Sequence, residues 1–218
     1  MRYIHICLTI IVVLSINMMI NSPAQADLEL KKAEWPEKLK KYANANPDSV
    51  YYKETSSLGR QIYFINDPSC PITLKDTGVY IKYVSSDCSS GNEAFPFGNI
   101  ECAVPIVAYD VHIMLFDVWN DHIVTLVGDK ICDLNPGQDY PFMNGSSWDC
   151  RIYDNADEHL TVVSFISRVR TADGKFWEYD SESVLGTVNS LLGGKATEEE
   201  LNPSGKKSLS DLLKLLVK

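Results

Sequence analysis

The stretch YDVHIMLFDVWNDHIVTL, residues 109–126, contains two histidines, three aspartates and a tryptophan, and it decides between a reactive site and a β-hairpin. Successive side chains of a strand point to opposite faces. Ile113 and Leu115 therefore share an apolar face, which is predicted to point into the core. Asp110 and His112 share the other face, which is predicted to be an outer, polar one.

The two halves of this stretch are separated by Asn120-Asp121, a pair that is typical of a tight hairpin turn. Zinc needs three or four ligands that converge on one point, whereas His112 and His122 lie on opposite sides of the turn. The nucleophile motif G-x-S-x-G is absent from the chain. A carboxylate pair for glycoside hydrolysis stays open, but no motif distinguishes a pair among the 29 acidic residues. The sequence favours the hairpin and predicts no catalytic, cofactor-binding or metal-binding residue.

Outward from the hairpin, short runs rich in β-branched and aromatic residues alternate with Asn, Asp, Gly, Pro and Ser clusters. Such runs without intervening helical patterns predict an all-β fold, an antiparallel β-sandwich or barrel. The stretch SSDCSSGNEAFPFGN, residues 85–99, is predicted to be a functional loop or a crossover between sheets. The runs are VYYKET, RQIYFIN, GVYIKYVSS, IVAYDVHIMLFDVW, HIVTLVGDKIC, WDCRIYD, LTVVSFISRVR and KFWEYD.

The chain begins with the pattern of a secretory signal peptide. Arg2 precedes a long apolar run, and Ala24-Gln25-Ala26 follows as a small-x-small cleavage site. An uncleaved membrane anchor is the alternative. Cleavage after Ala26 predicts an extracytoplasmic protein, periplasmic or secreted, that meets the membrane only through the removed signal.

The net charge of the chain is −9 at pH 7. An acidic chain repels nucleic acid and anionic lipid, and no local cluster of basic residues reverses that effect. Nucleic-acid binding is therefore excluded from the predicted functions.

Six cysteines include one in the predicted signal, so five remain in the mature chain. Export makes disulfides plausible, and the odd number predicts one leftover thiol. Pairing of near neighbours predicts Cys70–Cys88 and Cys132–Cys150, with Cys102 as the free thiol, although other pairings stay open. The absence of a C-x-x-C pair argues against a zinc ribbon and a thioredoxin-type site.

Four segments follow from these patterns: a signal peptide at 1–26, a helical and linker segment at 27–49, a β-sandwich domain at 50–180, and C-terminal helices with a linker at 181–218. SESVLGTVNSLLGG has one apolar helical face and a Gly-Gly stop. KATEEELNPSGKK is predicted to be a solvated linker, and SLSDLLKLLVK a short Leu-rich helix. Trp35-Pro36-Glu37 is predicted to open the N-terminal helix.

The central hairpin also resembles the FxLYD family of bacterial extracytoplasmic domains. In that family a Phe-x-Leu-Tyr-Asp strand runs into a turn, and an (Asp/Asn)-Leu-x-Pro-Gly turn follows the next strand. The resemblance covers residues 72–180 and implies an immunoglobulin-like sandwich and no known enzymatic activity. The five mature cysteines and the 85–99 stretch depart from the family's pattern. The matching positions are Ile113 in place of Phe, Leu115, Phe116 in place of Tyr, Asp117, Pro136 and Gly137.

These observations predict a secreted or periplasmic, non-enzymatic binding or structural module. Its partner is expected to be a protein or another envelope component, and no cofactor is expected. One alternative is a regulatory or inhibitory factor that docks a partner through its C-terminal helix. A second is a small secreted hydrolase with carboxylates in or beside loop 85–99.

Overall fold

A computed structural model describes residues 27–34, 37, 60–83, 92–142, 148–149 and 159–203 of the chain. Within these ranges the fold is mostly β, with helices near the C-terminal end. The strands are β1 (Glu29–Lys32), β2 (Gln61–Asn66), β3 (Ile72–Tyr83), β4 (Asn92–Cys102), β5 (Ile106–Phe116), β6 (His122–Leu134), β7 (Asp139–Phe142), β8 (Trp148–Asp149), β9 (Thr161–Thr171) and β10 (Phe176–Glu178); the helices are α1 (Ser181–Leu192) and α2 (Glu198–Leu201).

The strands form two sheets. The large sheet has the order β1-β2-β9-β5-β6, with β10 also paired to β9, and the small sheet has the order β3-β4-β7, with β8 paired to β4. Among the described strands, the predicted antiparallel arrangement is correct for every pair except β2 with β9, which is parallel and places Gln61 opposite Thr161. The predicted hairpin is confirmed as β5 and β6, with Val111 opposite Gly128.

The two sheets enclose a common apolar core. Ile113 and Leu115 on β5 are fully buried there, as their alternation predicts, and they belong to the same cluster as Leu74 and Ile100 of the small sheet. This cluster covers only one of the two faces of the large sheet.

The opposite face of the large sheet is covered by α1 and α2, so the prediction of a polar outer face is wrong. Met114 and Phe116 on β5 are buried in a second cluster with Val184 and Leu201 of the helices. The C-terminal helices are therefore a third layer and not an extension outside the sheets. Neither described helix has the length and apolar character needed to cross a bilayer.

Capping residues next to α1 determine where this helix begins and ends. The Asp180 carboxylate accepts a hydrogen bond from the Glu182 backbone N–H at the first turn, and Gly193 ends the helix at φ 78°. The predicted Gly-Gly stop is confirmed. The predicted solvated linker is wrong between Thr197 and Leu201, because Thr197 and Glu200 form a reciprocal capping box that starts α2.

One segment predicted to be irregular is a strand. NEAFPFGN, the second half of the 85–99 stretch, belongs to β4 and pairs with β3 along its length. Gly98 is required there, because a Cβ at this position would overlap the Phe142 ring and the Asp76 carbonyl. Pro96 lies between the part of β4 that pairs with β8 and the part that pairs with β7. A proline has no N–H to donate to a neighbouring strand. On this side of β4, no described strand pairs with it at Pro96, so no hydrogen bond between strands is lost there.

At the N-terminal end, ELKK was predicted to be part of a helical or linker segment but forms β1, which pairs with β2. DYPF, for which the sequence patterns predict no strand, forms β7. Several predicted elements lie outside the described residues: the signal peptide, the helix at Trp35-Pro36 apart from Glu37, VYYKET, most of WDCRIYD, and SLSDLLKLLVK.

Candidate functional site

A groove of about 620 Å³ opens at the end of the large sheet where β9 ends and β5 begins. This volume lies within the range of roughly 300–1,000 Å³ that is usual for ligand sites. We call it the aromatic groove, and its apolar lining consists of Pro71, Val104, Pro105, Ala172, Phe176 and Trp177.

Three segments that are distant in sequence form the walls of the aromatic groove. They are loop 67–71 after β2, loop 103–105 between β4 and β5, and the β9–β10 hairpin. The Ala103 N–H donates to the Pro71 carbonyl at 2.9 Å, and the Ala172 N–H donates to the Pro105 carbonyl at 2.9 Å. The backbone therefore holds the walls to one another before any ligand binds.

The aromatic side chains of β10 are held in different ways. Phe176 is 74% exposed, and the Arg170 guanidinium lies 5.0 Å from the centre of its ring. Trp177 is half-buried, and its Nε1–H donates to the Ser69 hydroxyl at 3.0 Å. The groove thus presents an exposed aromatic ring beside an indole whose polar atom already has a partner.

The polar side chains of the groove bind one another. The Thr171 hydroxyl donates to the Asp173 carboxylate, and the Lys175 Nζ lies 2.7 Å from the same carboxylate. Hydrogen bonds from Lys175 and Thr171 lower the pKa of Asp173 to about 2. A carboxylate that remains ionised to such a low pH is a weak base near neutral pH. The groove is therefore equipped for apolar contact more than for proton transfer.

The histidines of the opening stretch lie elsewhere and hold α2 in place. His112 is 4% exposed, and its Nδ1 lies 3.0 Å from the Leu201 carbonyl oxygen, so the ring nitrogen acts as the donor. Its ring also packs edge-on against the Phe165 ring, and the centres of the two rings are 5.3 Å apart. A helix leaves its last carbonyls without partners within the helix, and His112 satisfies one of them.

His122 reaches the same helix through Thr125. The Thr125 hydroxyl donates to the Glu200 carbonyl at 2.6 Å, and it accepts from His122 Nε2, which lies 2.8 Å away. Burial lowers the pKa of His122 from 6.5, against a weaker opposite effect of the Glu200 carboxylate. Both histidines thus support helix docking, and among the described residues no group of three His, Cys, Asp or Glu side chains is arranged to hold a metal ion.

Asp110, the other polar residue on that strand face, is half-buried and paired with Arg168 of β9. Burial raises the pKa of Asp110, and Arg168 acts in the opposite direction. This pair joins neighbouring strands of the large sheet and lies outside the aromatic groove.

The residues that carry the family resemblance lie in the buried cores and in the turns of the fold. Ile113 and Leu115 lie in the core between the sheets, and Phe116 lies under the helices. Asp117 caps the hairpin turn, because its carboxylate accepts from the backbone N–H groups of Trp119 and Asp121, each at 2.8 Å. The Asp117 carboxylate therefore holds the turn between β5 and β6 in place.

Pro136 and Gly137 form the predicted turn after β6. Gly137 adopts φ 78°, a conformation that favours glycine, and its N–H donates to the Cys102 carbonyl at 3.4 Å. None of the motif positions lines the aromatic groove.

Three cysteines, Cys70, Cys102 and Cys132, are described, and all are free thiols. Cys102 belongs to the core between the sheets, and Cys70 and Cys132 pack against that core. Cys88 and Cys150 lie outside the described residues, so the Cys70–Cys88 and Cys132–Cys150 pairings stay predictions.

The pattern of KFWEYD predicts a strand but does not predict the groove. The adjacent Phe176 and Trp177 carried a signal, because neighbouring side chains of one strand cannot both point into the same core. The other walls come from Pro71 and Pro105, which no local pattern connects to β10.

Comparison of the chain with models of protein families, with curated proteins and with solved structures gave no match.

Proposed function

We propose that this protein is an extracytoplasmic, non-enzymatic binding module whose aromatic groove receives an apolar segment of a partner protein. The observation that carries the proposal is Phe176, a large apolar side chain that is 74% exposed in a groove whose polar neighbours are already paired.

The pairing of the polar groups favours an apolar occupant over a sugar. A sugar needs free donors and acceptors, whereas the hydroxyls of Ser69 and Thr171 already bind other groups of the protein, and Asp173 and Lys175 form an ion pair at the surface. Covering a Phe side chain stabilises a complex by roughly 1.5–3 kcal/mol through removal of apolar surface from water. An aliphatic, proline or aromatic side chain of a partner fits this chemistry.

The extracytoplasmic location is part of the proposal. It is supported by Arg2, the apolar run and the Ala24-Gln25-Ala26 site. Mass spectrometry of the exported protein should give an N-terminus at Asp27. An exported protein that retains residues 1–26 would contradict the signal peptide.

An immunoglobulin-like sandwich related to the FxLYD family is the finer fold assignment that we propose. In its support, two sheets share one core, and Asp117 caps the turn after the motif strand. The parallel pairing of β2 with β9 and the helical layer are then additions to the basic sandwich.

The central experiment is affinity capture of the mature protein from its own cell envelope, followed by identification of the captured protein. Phe176→Ala is expected to lose the partner. Trp119→Ala is a matched control, because Trp119 is 73% exposed and lies at the opposite end of the β5 strand. Both variants should keep the wild-type melting temperature, since neither side chain packs in the core.

A photo-crosslinking amino acid at position 176 and another at position 119 make the test independent of affinity. The adduct should form from position 176 alone. Capture that survives Phe176→Ala and is lost with Trp119→Ala would contradict the groove as the binding site.

Two further experiments distinguish the alternative functions from the proposed one. Deletion of residues 205–218 removes the predicted Leu-rich helix, and a partner lost in this variant alone would favour the regulatory or inhibitory factor. Hydrolysis of glycan or ester substrates by the purified protein would favour the small hydrolase, and its loss on substitution of acidic residues in or beside loop 85–99 would locate the site.

A further inference from the structure

Strand β1 forms one edge of the large sheet. Its inner side pairs with β2, and none of the described strands pairs with its outer side. The Ala33 N–H donates to the Ile62 carbonyl at 2.8 Å, which makes these two residues a hydrogen-bonded pair of the antiparallel ladder. Hydrogen-bonded and non-hydrogen-bonded pairs alternate along such a ladder. The backbone N–H and C=O groups of Leu28, Leu30 and Lys32 therefore point away from β2, toward the open edge.

An exposed apolar side chain and a groove accompany this edge. Leu30 is 38% exposed and lies opposite Ile65, which belongs to the cluster under the helices. Next to Leu30, a groove of about 500 Å³ separates β1 from α1. A Cβ at Gly186 of α1 would meet no other atom within 4 Å, so the groove has room for a further apolar side chain. The helix side of the groove is lined by the small residues Ser183, Gly186, Thr187 and Ser190.

The charged residues of β1 make this edge complementary to a second copy of itself. Glu29 and Lys31 flank Leu30, and the Lys31 Nζ lies 2.9 Å from the Glu29 carboxylate in an exposed ion pair. Antiparallel pairing of two β1 strands about a two-fold axis at Leu30 places Glu29 opposite the partner's Lys31. An axis at Glu29 or at Lys31 would instead place like charges opposite one another, which destabilises a sheet. The charges therefore favour the register that is centred on Leu30.

We propose that two copies of the chain associate through β1, antiparallel and with the two-fold axis at Leu30, so that their large sheets join into one continuous sheet. Leu30 and the partner's Leu30 exchange backbone hydrogen bonds, as do Leu28 and the partner's Lys32. The two Leu30 side chains meet on the face that the helices cover, beside the small residues of α1. On the other face, Glu29 and Lys31 bind the opposite charges of the partner.

The association is weak and reversible. A short edge strand with one apolar side chain covers less than the roughly 800 Å² that each partner buries in a stable complex. Dimers should therefore form at high protein concentration and dissociate on dilution. The residues that line the aromatic groove lie outside β1 and α1, so each protomer keeps its groove accessible. The dimer is independent of the proposed function, and the tests below use no ligand.

The first test is sedimentation velocity of the full exported chain in a concentration series up to about 1 mM. Glu29→Lys and Lys31→Glu each place like charges opposite one another and should weaken self-association by about tenfold or more. The two single variants are complementary to each other in this register, so an equimolar mixture should form a mixed dimer. The double variant, Glu29→Lys with Lys31→Glu, should recover self-association.

Three results would overturn the proposal. The first is a wild-type chain that stays monomeric at about 1 mM. The second is a single variant that dimerises as the wild type does, which would place the contact elsewhere. The third is a mixture of the two single variants that does not associate, which would exclude the register. Both side chains are exposed, so the variants should keep the wild-type melting temperature.

Cross-linking gives a second readout that does not require tight binding. Hydrogen-bonded partners in an antiparallel ladder have Cα atoms about 5.5 Å apart, within the roughly 4.4–6.8 Å that is usual for a disulfide. Leu30→Cys should therefore give a covalent dimer on mild oxidation, above the wild-type background. Val118→Cys is the control, because Val118 is 51% exposed and lies in the turn after β5, away from β1. Equal cross-linking of the two variants, or none from Leu30→Cys, would contradict the pairing of β1 with its copy.

Discussion

Replacement of His112 by alanine tests the helical layer most directly. His112 is 4% exposed, its Nδ1 is the donor to the Leu201 carbonyl, and its ring packs against Phe165. Loss of the donor leaves a buried carbonyl without its partner, which costs about 1–3 kcal/mol. The missing ring adds a cavity, and removal of a larger buried aromatic ring costs about 3–5 kcal/mol. The free energy of unfolding should therefore fall by roughly 2–5 kcal/mol in His112→Ala.

Urea denaturation at pH 7.5, followed by tryptophan fluorescence and circular dichroism, measures this difference from the midpoint and the slope. Leu201→Ala should cost a similar roughly 2–5 kcal/mol, because Leu201 is fully buried. The double variant should cost less than the sum of the two, since both changes undock α2. Trp119→Ala is the control and should change stability by less than about 0.5 kcal/mol. An equally small effect of His112→Ala would refute the buried strand face and the docked helices.

Three further perturbations have definite expected outcomes. Leu115→Ala should lower the free energy of unfolding by roughly 2–5 kcal/mol, measured by urea denaturation, because Leu115 is fully buried; a loss below about 0.5 kcal/mol would contradict the burial of Leu115 between the two sheets. Gly98→Ala should lower it by roughly 1–3 kcal/mol or more through overlap with the Asp76 carbonyl, and an unchanged urea midpoint would contradict that close approach. Burial lowers the pKa of His122 from 6.5, so the unfolded state binds a proton more readily and stability should decline as the pH falls from 6.5 toward the folded pKa. His122→Gln should flatten that decline in urea midpoints measured between pH 7.5 and 5, and an unaltered profile would exclude His122 as its source.

Local patterns were sufficient to predict the central hairpin and α1. The alternation that places Leu115 in the core, the Asp117 cap and the Gly193 stop all depend on residues close together in the chain. Each of these features is decided by strand or helix periodicity and by turn chemistry, which a single sequence contains.

The helical layer could not be predicted in the same way. A histidine beside an aspartate on a strand is typical of a solvated face, and the partner of His112 is a backbone carbonyl 89 residues further along the chain. No sequence pattern shows which distant backbone carbonyl will accept a hydrogen bond from a given side chain. Strand β4 was missed for a related reason, since Pro96 and Gly98 weaken its β-propensity while neighbouring strands support it.

The aromatic groove was the least predictable feature of the molecule. Its walls are brought together by the sheet register and by two backbone hydrogen bonds, and Pro71 and Phe176 are far apart in sequence. The exposed Phe176 could be recognised only after the position of β10 was known.

The parallel pairing of β2 with β9 also sets the order in which the newly made chain can fold. Gln61 lies opposite Thr161, so β2 emerges 100 residues before the strand that it needs. At about 5–20 residues per second, that separation corresponds to a delay of roughly 5–20 s. Both β3 with β4 and β5 with β6 are near neighbours in sequence and can pair during this interval, whereas β2 is left with an unpaired edge. Nascent chains arrested before Thr161 should therefore be cleaved by protease within β2, and they should depend on a holding chaperone until β9 arrives.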